Sequence, residues 1–261
     1  MKHHEGAIFG MIPEPETLDE LFQLATNPID GESRNVYMWR GQADISWTID
    51  SGAWRRLKKT RPAVSEAEIT YYERSLLNKA THQGLRVHDG RVLPDFELLA
   101  RLQHHGAATR LLDATRSILV GLYFACESLP DRHGLLAGFH SSFLGGGEGN
   151  PEERPYNAVV ADLEDFPHPQ TWDSPIVTAR IAAQHSQFLY SAVGNDPRGS
   201  IRINRNARSF MPVAISPEFK AVALKLLSEQ FDIRHSTLFP DIYGFCHLNS
   251  AKFSQFENER W

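Results

Sequence analysis

The strongest local constraint in the sequence is its longest apolar run, the nine residues from Ile118 to Cys126. Ser117, directly before the run, is a residue type that caps helix N-termini. The run is about half as long as the roughly 20 residues that a bilayer span requires. A helix that is apolar on every face belongs in a protein interior. The sequence therefore predicts a buried helix in a folded core rather than a membrane segment.

The composition also favours a soluble globular protein. Hydrophobic residues make up 41% of the 261, which is enough to bury a core. The formal net charge is −5, so the chain has no uniformly basic surface for nucleic acid. The two cysteines, Cys126 and Cys246, cannot form a disulfide framework, and the first residues contain no apolar signal-peptide core. These features predict a cytoplasmic protein.

Hydrophobic periodicity and capping residues predict helices in the first half of the chain, at 17–26, 65–84, 94–105 and 117–125. Strands or extended segments are predicted at 36–41, 109–112, 158–161, 176–183, 188–193 and 210–215. Ser216 and Pro217 open a last long helix, with Phe219, Val222, Leu226 and Leu227 predicted to face inward. Early helices and late strands indicate an α+β fold, in which one domain packs mainly N-terminal helices on a mixed or antiparallel sheet.

The first segment that could carry chemistry is Trp39-Arg40-Gly41-Gln42. An arginine at the end of a strand can form two parallel hydrogen bonds to a phosphate or a carboxylate. A glycine beside it lets a ligand approach the backbone. The alternative is an arginine in a structural ion pair next to a turn.

The second segment, Gln103 to Arg116, concentrates polar and ionisable groups between two apolar helices. Such groups must satisfy one another or serve a site. His104 can exchange protons near neutral pH, and Asp113 can orient it or bind Arg110. The alternative is a hydrogen-bonded corner in which Asp113 or Thr115 caps the next helix.

Weaker signals lie further along the chain. Arg180 and Gln184 are four residues apart and share a face on a strand. The segment 236–244, with its Pro-Asp pair and Gly244, indicates a structural turn. The sequence contains no HExxH, paired-cysteine, GxGxxG or Walker motif, and the adjacent side chains of His104 and His105 diverge. We therefore expect no metal site.

Taken together, these blocks resemble the FRG domain family, which is named for an aromatic-Arg-Gly motif near its N-terminus. The resemblance rests on residues 39–42, 103–113 and 123–125, and on the later blocks at 180–188 and 238–244. It implies an N-terminal helical segment at 1–30, an FRG domain at 31–250 and a C-terminal tail at 251–261. Two departures from the family pattern are Trp39, in place of phenylalanine, and Ala114, where an aromatic residue is frequent.

The family's organisation is similar to that of the arginine-type ADP-ribosyltransferases. This resemblance implies that Arg40 holds the pyrophosphate of NAD and that Thr109 or Thr115 is the hydroxyl residue of the second strand. Gln184 falls where those enzymes carry a glutamate that stabilises the oxocarbenium-like ribose. A glutamine supplies no negative charge. Three options follow: Asp113 or Glu97 provides the carboxylate, the chemistry differs, or the activity has been lost.

The sequence therefore leaves three functions open. The first is an NAD-dependent ADP-ribosyltransferase-like or NAD-cleaving toxin or defence effector. Its predicted catalytic residues are Arg40, His104, Asp113 and Gln184, and its predicted ligand-binding residues are Trp39, Gly41, Gln42, Thr109, Arg110, Thr115 and Arg180. The second is a ribonuclease-type toxin with His104 as acid or base, and the third is a non-catalytic binding module. A dinucleotide is the expected small-molecule partner, and a macromolecular acceptor or neutralising partner is open.

Overall fold

The computed structural model describes residues 1–26, 36–147 and 152–252. Its strands are β1 (Lys2–Gly6), β2 (Gly10–Glu14), β3 (Tyr37–Gln42), β4 (Val87–His88), β5 (Arg91–Val92), β6 (Leu112–Thr115), β7 (Gly134–His140), β8 (Gly145–Gly147), β9 (Gln170–Trp172), β10 (Ser186–Tyr190), β11 (Val193–Asp196), β12 (Gly199–Ile201) and β13 (Phe210–Ile215). Its α-helices are α1 (Leu18–Thr26), α2 (Gly52–Lys58), α3 (Glu66–His82), α4 (Asp95–His104), α5 (Ile118–Cys126), α6 (Tyr156–Ala161), α7 (Ala179–Ala183), α8 (Pro217–Phe231), α9 (His235–Leu238) and α10 (Ile242–Leu248).

A seven-stranded mixed sheet forms the centre of the molecule, in the order β13-β7-β3-β6-β10-β9-β8. Neighbouring strands are antiparallel except for the parallel pair β8 and β9. The fold is therefore α+β with a mixed sheet, as the sequence predicts. Among the described residues, however, five of the helices follow residue 150, so the helices are not mainly N-terminal.

The predicted apolar helix is α5, and it lies in the core as expected. The Oγ of Ser117 accepts a hydrogen bond from the Val120 amide and caps the helix N-terminus. The helix packs between the sheet and α8, with Leu122 and Ala125 fully buried. None of the helices in residues 1–26, 36–147 and 152–252 has the length and apolar character needed to cross a membrane.

The other early helices also follow their local signals. Ser65 and Glu68 form the reciprocal capping box at the start of α3. Helix α4 ends at His104, and Gly106 follows it with a φ of 92°, which is the left-handed conformation of a terminating glycine. In α8, Phe219 and Leu227 are buried as predicted.

Several predictions for the second half are wrong. Residues 158–161 are part of helix α6, and residues 179–183 of the predicted strand at 176–183 form helix α7. In α6, two adjacent valines favour a strand locally, but Pro155 starts a helix whose first residue, Tyr156, is fixed by tertiary hydrogen bonds. The strand predicted at 109–112 lies three residues later, and Val222 is 53% exposed.

Strand β7 is not predicted from the sequence, although it is buried throughout and pairs with both β13 and β3. Its sequence, Gly-Leu-Leu-Ala-Gly-Phe-His, is poor in β-branched residues. Its glycines serve packing: a Cβ on Gly138 would lie 2.8 Å from the Trp39 ring. A strand that depends on neighbours distant in sequence leaves only a weak local signal.

Candidate functional site

The candidate site lies where β3 and β6 separate. These strands share a single backbone pair, Trp39 with Thr115. Further along β3, the Nη1 of Arg40 donates to the carbonyl oxygen of Asp113 at 2.8 Å. The Arg40 side chain therefore bridges β3 and β6 at a point where, in a regular antiparallel pair, a backbone amide would donate the hydrogen bond. This local opening in the sheet lets side chains of both strands line a cavity.

The Arg40 side chain is half-buried and held from two sides. Its Nε donates to the Oε1 of Gln42 at 3.2 Å, and the Nε2 of Gln42 donates to the Trp47 carbonyl at 3.1 Å. Burial lowers the pKa of Arg40 below its ordinary value, and the carboxylate of Asp113 opposes this effect. Since the guanidinium of arginine is the most basic side chain in proteins, Arg40 stays charged at neutral pH.

Gly41 has a packing role that the sequence does not predict. A Cβ at this position would lie 2.1 Å from the carbonyl oxygen of Gly121 and 2.4 Å from the amide nitrogen of Ala125. The backbone of α5 therefore occupies the space that a side chain would need. Gly41 lines the cavity, but its missing side chain serves the contact between β3 and α5.

The C-terminal end of α4 brings Gln103 and His104 to the same place. The Nε2 of Gln103 donates to the Oδ1 of Asp113 at 2.6 Å, and its Oε1 accepts from the Oγ1 of Thr109. Gln103 thus fixes the exposed Asp113 carboxylate from one side.

The imidazole of His104 is half-buried against the edge of the Phe188 ring. Its Nδ1 is 3.1 Å from the Oγ1 of Thr178. Burial lowers the pKa of His104, and the charge of Arg180 lowers it further, while Asp113 acts in the opposite direction. Because its ordinary pKa is about 6.5, a lowered value leaves the imidazole neutral at pH 7 and able to accept a proton.

Arg180 and Gln184 lie on α7 and at its C-cap, not on a strand as predicted, but the spacing of four residues still puts them on one face. The Nε2 of Gln184 donates to the Leu238 carbonyl at 3.0 Å, and the backbone carbonyl of Gln184 accepts from the Oγ1 of Thr115 at 2.7 Å. Gln184 therefore connects the strand β6 to the helix α9.

Arg180 forms an ion pair with Asp241, donating to both of its carboxylate oxygens. The guanidinium also lies 5.0 Å from the centre of the Phe239 ring, within cation–π range. Asp241 in turn caps α10 by accepting from the Gly244 amide at 2.8 Å. The segment predicted as a structural turn thus positions Arg180 and one wall of the cavity.

These groups surround a cavity of about 280 Å³. All four residues predicted as catalytic line it: Arg40, His104, Asp113 and Gln184. Four of the predicted ligand-binding residues line it too: Trp39, Gly41, Thr115 and Arg180. The remaining lining residues, Gln103, Ala114, Phe124, Ser186 and Phe239, were not predicted as site residues. For Phe239 the available signal was its place in a conspicuous Pro-Asp segment, and Gln103 belonged to the polar block of the second motif.

Two more cavities adjoin the first, and Arg40 lines all three. One, of about 470 Å³, includes the predicted residue Gln42. The other, of about 490 Å³, includes Thr109. Arg55 lines both of these additional cavities. The site is therefore a branched cleft with a guanidinium at its centre.

Arg110 does not join the site. Its side chain is 2% exposed and forms ion pairs with Glu66 and Glu73, at 2.8 and 2.6 Å. It also donates to the hydroxyl of Tyr156 at 2.6 Å. Burial alone would lower the pKa of Arg110, but the two carboxylates outweigh it and raise the value. The geometry gives Arg110 a structural role, in keeping with the hydrogen-bonded corner that was the alternative interpretation of its segment.

Glu97, the second candidate for a missing carboxylate, is also enclosed. Its side chain is 1% exposed and is paired with Arg91. It lines none of the three cavities around Arg40. Of the two proposed substitutes for a glutamate, only Asp113 faces the cleft.

Comparison with protein families identifies residues 35–133 as an FRG domain. The matched segment contains Arg40, His104 and Asp113 but not Gln184. Comparison with curated proteins and with solved structures gives no significant match. The extension of the domain to residue 250 stays a prediction.

Proposed function

We propose that this FRG-domain protein cleaves NAD at the bond between nicotinamide and ribose, as an ADP-ribosyltransferase-like enzyme. The observation that carries the proposal is the cavity shared by Arg40, His104, Asp113 and Gln184. These four residues come from separate segments of the chain. Burial lowers the pKa values of two of them, Arg40 and His104, and ionisable groups with perturbed pKa values in a cleft are candidates for a functional site.

The position of Arg40 fits the pyrophosphate of a dinucleotide. The guanidinium lies where three cavities meet, and a dinucleotide has a charged centre from which two nucleoside arms extend. Arginine binds phosphate oxygens through parallel N–H donors. Partial burial of Arg40 strengthens this interaction, because charges attract more strongly away from bulk water.

Helix α2 adds positive charge to one branch of the cleft. Its residues Arg55 and Arg56, and Lys59 just after it, line the cavity of about 490 Å³. Within the described part of the chain, the side chains of Arg55 and Lys59 form no hydrogen bond or ion pair. Such free cations at the wall of a cleft attract a phosphate-bearing ligand.

The central cavity offers an aromatic wall for a planar base. Phe124 and Phe239 meet edge to face, with ring centres 6.1 Å apart, and Trp39 lies close by in the same lining. Aromatic side chains of this kind stack on flat heterocycles. We place the nicotinamide here, with its ribose toward Asp113 and Gln184.

Asp113 then supplies the negative charge that Gln184 lacks. As the bond to nicotinamide breaks, its electron pair leaves with the nicotinamide and positive charge develops on the ribose. The Asp113 carboxylate stabilises that charge, and the Oε1 of Gln184 accepts a hydrogen bond from a ribose hydroxyl. The acceptor oxygen, from water or a macromolecule, forms the new bond to ribose and passes its proton to the neutral His104.

The test is release of nicotinamide from NAD by the purified protein, followed by chromatography. We expect the variant Arg40→Ala to lose activity at least 100-fold, since electrostatic groups of this kind contribute about 3 kcal/mol or more. Arg40→Lys keeps the positive charge but loses the parallel N–H donors of the guanidinium, and Asp113→Asn removes the negative charge of the carboxylate. Arg205→Ala, at an exposed arginine outside the cleft, is the matched control.

Expression in a host cell extends the test to the toxin or defence role: the native chain should deplete NAD, and Arg40→Ala should not. Intact NAD after long incubation, with and without a cell extract that supplies acceptors, would overturn the proposal. The basic branch of the cleft also fits RNA phosphates, so RNA cleavage lost in His104→Ala would support a ribonuclease instead. Binding of NAD without turnover, abolished in Arg40→Ala, would identify a binding module.

A further inference from the structure

Three side chains that can bind a metal ion lie close together in the structure, although they are far apart in the sequence. The hairpin of β1 and β2 carries His4 and Glu14, and the loop before β7 carries His133. Their ligand atoms all lie within 4.8 Å of one another. The imidazole rings are 4.4 Å apart, centre to centre. The hairpin and the loop thus bring two imidazoles and a carboxylate to one point.

The spacing is too long for hydrogen bonds and suits a shared ion. The Oε2 of Glu14 is 3.6 Å from the Nδ1 of His4 and 3.5 Å from the Nε2 of His133. An N–H···O hydrogen bond spans about 2.7–3.2 Å. Ligands about 2.1 Å from a tetrahedral zinc ion lie roughly 3.4 Å from each other. Both distances from the Glu14 carboxylate to an imidazole nitrogen are within 0.2 Å of that value.

The ligand atoms are also available. In residues 1–26, 36–147 and 152–252, the Glu14 carboxylate accepts no hydrogen bond. The two ring nitrogens that face it, the Nδ1 of His4 and the Nε2 of His133, neither donate nor accept one. Lys2, which lies opposite Glu14 in the hairpin, pairs instead with Glu16 at 2.7 Å. All three side chains are half-buried, with exposed fractions of 22%, 14% and 32% for His4, Glu14 and His133. An ion can therefore reach the cluster from solvent.

We propose that His4, Glu14 and His133 form a binding site for Zn²⁺. Two imidazoles and a carboxylate are ligands that zinc prefers, and the fourth tetrahedral position is left for water. A bound ion would connect the N-terminal hairpin to the loop before strand β7 of the seven-stranded sheet. The site departs from the expectation of no metal, because motif searches detect ligands that are close in sequence and these are not.

The test uses the full-length chain, stripped with a chelator and titrated with ZnCl₂ by calorimetry. We expect one ion per chain, with affinity at least tenfold weaker in His4→Ala, Glu14→Gln and His133→Ala. His3→Ala is the matched control, because His3 is the next residue on β1, exposed and on the opposite face. Cobalt in place of zinc should give the visible absorption of a tetrahedral ion that the same three variants lose.

Thermal unfolding gives an independent readout. A zinc concentration 100-fold above the dissociation constant should raise the Tm by roughly 5–10 °C in the native chain. The variants should unfold at the native temperature without zinc, because the replaced side chains are half-exposed, and should show little rise with it. Unchanged zinc affinity in His133→Ala would show that His133 is not a ligand and overturn the proposal, as would the absence of binding to the native chain.

Discussion

Two arginines of the FRG segment show how their surroundings decide what a charged residue does. Arg110 is enclosed by Glu66 and Glu73, and these two carboxylates neutralise its charge within the fold. Arg40 has no carboxylate within ion-pair distance among the described residues, and its guanidinium reaches a backbone carbonyl and an amide oxygen. A guanidinium with neutral partners keeps its attraction for an anion. Of these two arginines, only Arg40 is therefore suited to bind an anionic ligand.

This difference predicts opposite effects of alanine substitution. Arg110→Ala should lower the free energy of unfolding by about 3–5 kcal/mol, because it leaves the buried carboxylate of Glu73 without its cationic partner. Arg40→Ala should lower the free energy of unfolding much less, since the partners it leaves, the Gln42 amide and a backbone carbonyl, carry no charge. Urea unfolding of both variants measures the difference. A loss of under 1 kcal/mol in Arg110→Ala would contradict the structural role of that residue.

At the scale of elements, the tightest constraint is the contact between β3 and α5. The absence of a side chain on Gly41 lets the strand touch the helix backbone at Gly121 and Ala125. The same contact fixes the end of β3, and hence the position of the neighbouring Arg40. The glycine of the motif thus supports the site through packing.

Gly41→Ala should therefore destabilise the protein by about 1–3 kcal/mol or more, as overpacked cores do. The added methyl would overlap backbone atoms that cannot rotate away. Gly6→Ala is the matched control, because its methyl would meet the His4 ring at an ordinary 3.6 Å, and we expect a change within 0.5 kcal/mol. Chemical denaturation measures both. Equal effects in the two variants would show that α5 can shift to accept the methyl.

Elements whose signals are local could be predicted from the sequence. The helices α1, α3, α4 and α5 follow from apolar periodicity together with caps, which involve residues a few positions apart. The sheet could not be predicted to the same extent, because β7 and the short β6 depend on partners up to a hundred residues away. Local β-propensity also gave the wrong answer at Val159 and Val160, where Pro155 and tertiary hydrogen bonds impose a helix.

The candidate site shows the same division. Polar residues crowded into short segments were sufficient to nominate Arg40, His104, Asp113 and Gln184, and the fold brings these four together. The ion pair of Arg110 and the enclosure of Glu97 depend on side chains from other elements. A pattern shows which residues can do chemistry, whereas non-local pairing decides which of them are free to do it.

At the scale of the whole molecule, the ion pair of Arg180 and Asp241 connects the cleft to the C-terminal helices. Hydrogen bonds from Arg180 lower the pKa of Asp241 to about 2, from an ordinary 3.8. A carboxylate with a lowered pKa stabilises the fold above its unfolded pKa. That contribution is lost as the pH falls from about 4 toward 2.

Asp241→Asn should accordingly reduce the free energy of unfolding by about 2 kcal/mol at pH 7. The asparagine can still accept the capping hydrogen bond from Gly244, so the loss reports the ion pair. Unfolding by urea at a series of pH values checks this, and the gap between native and variant should narrow below pH 4. A gap that stays constant down to pH 2.5 would assign the loss to another cause.

The order of strands in the sheet shows that the segment matching the FRG family is smaller than the sheet it belongs to. The FRG match ends at residue 133, one residue before β7 begins. Yet β3 lies between β6 and β7, and β6 lies between β3 and β10. A fragment cut at the boundaries of the match would keep a strand pair joined at one residue and lose the partner on each side. The segment that matches the FRG family thus supplies two neighbouring strands of a larger sheet, and the strands that flank them, β7 and β10, lie outside the match.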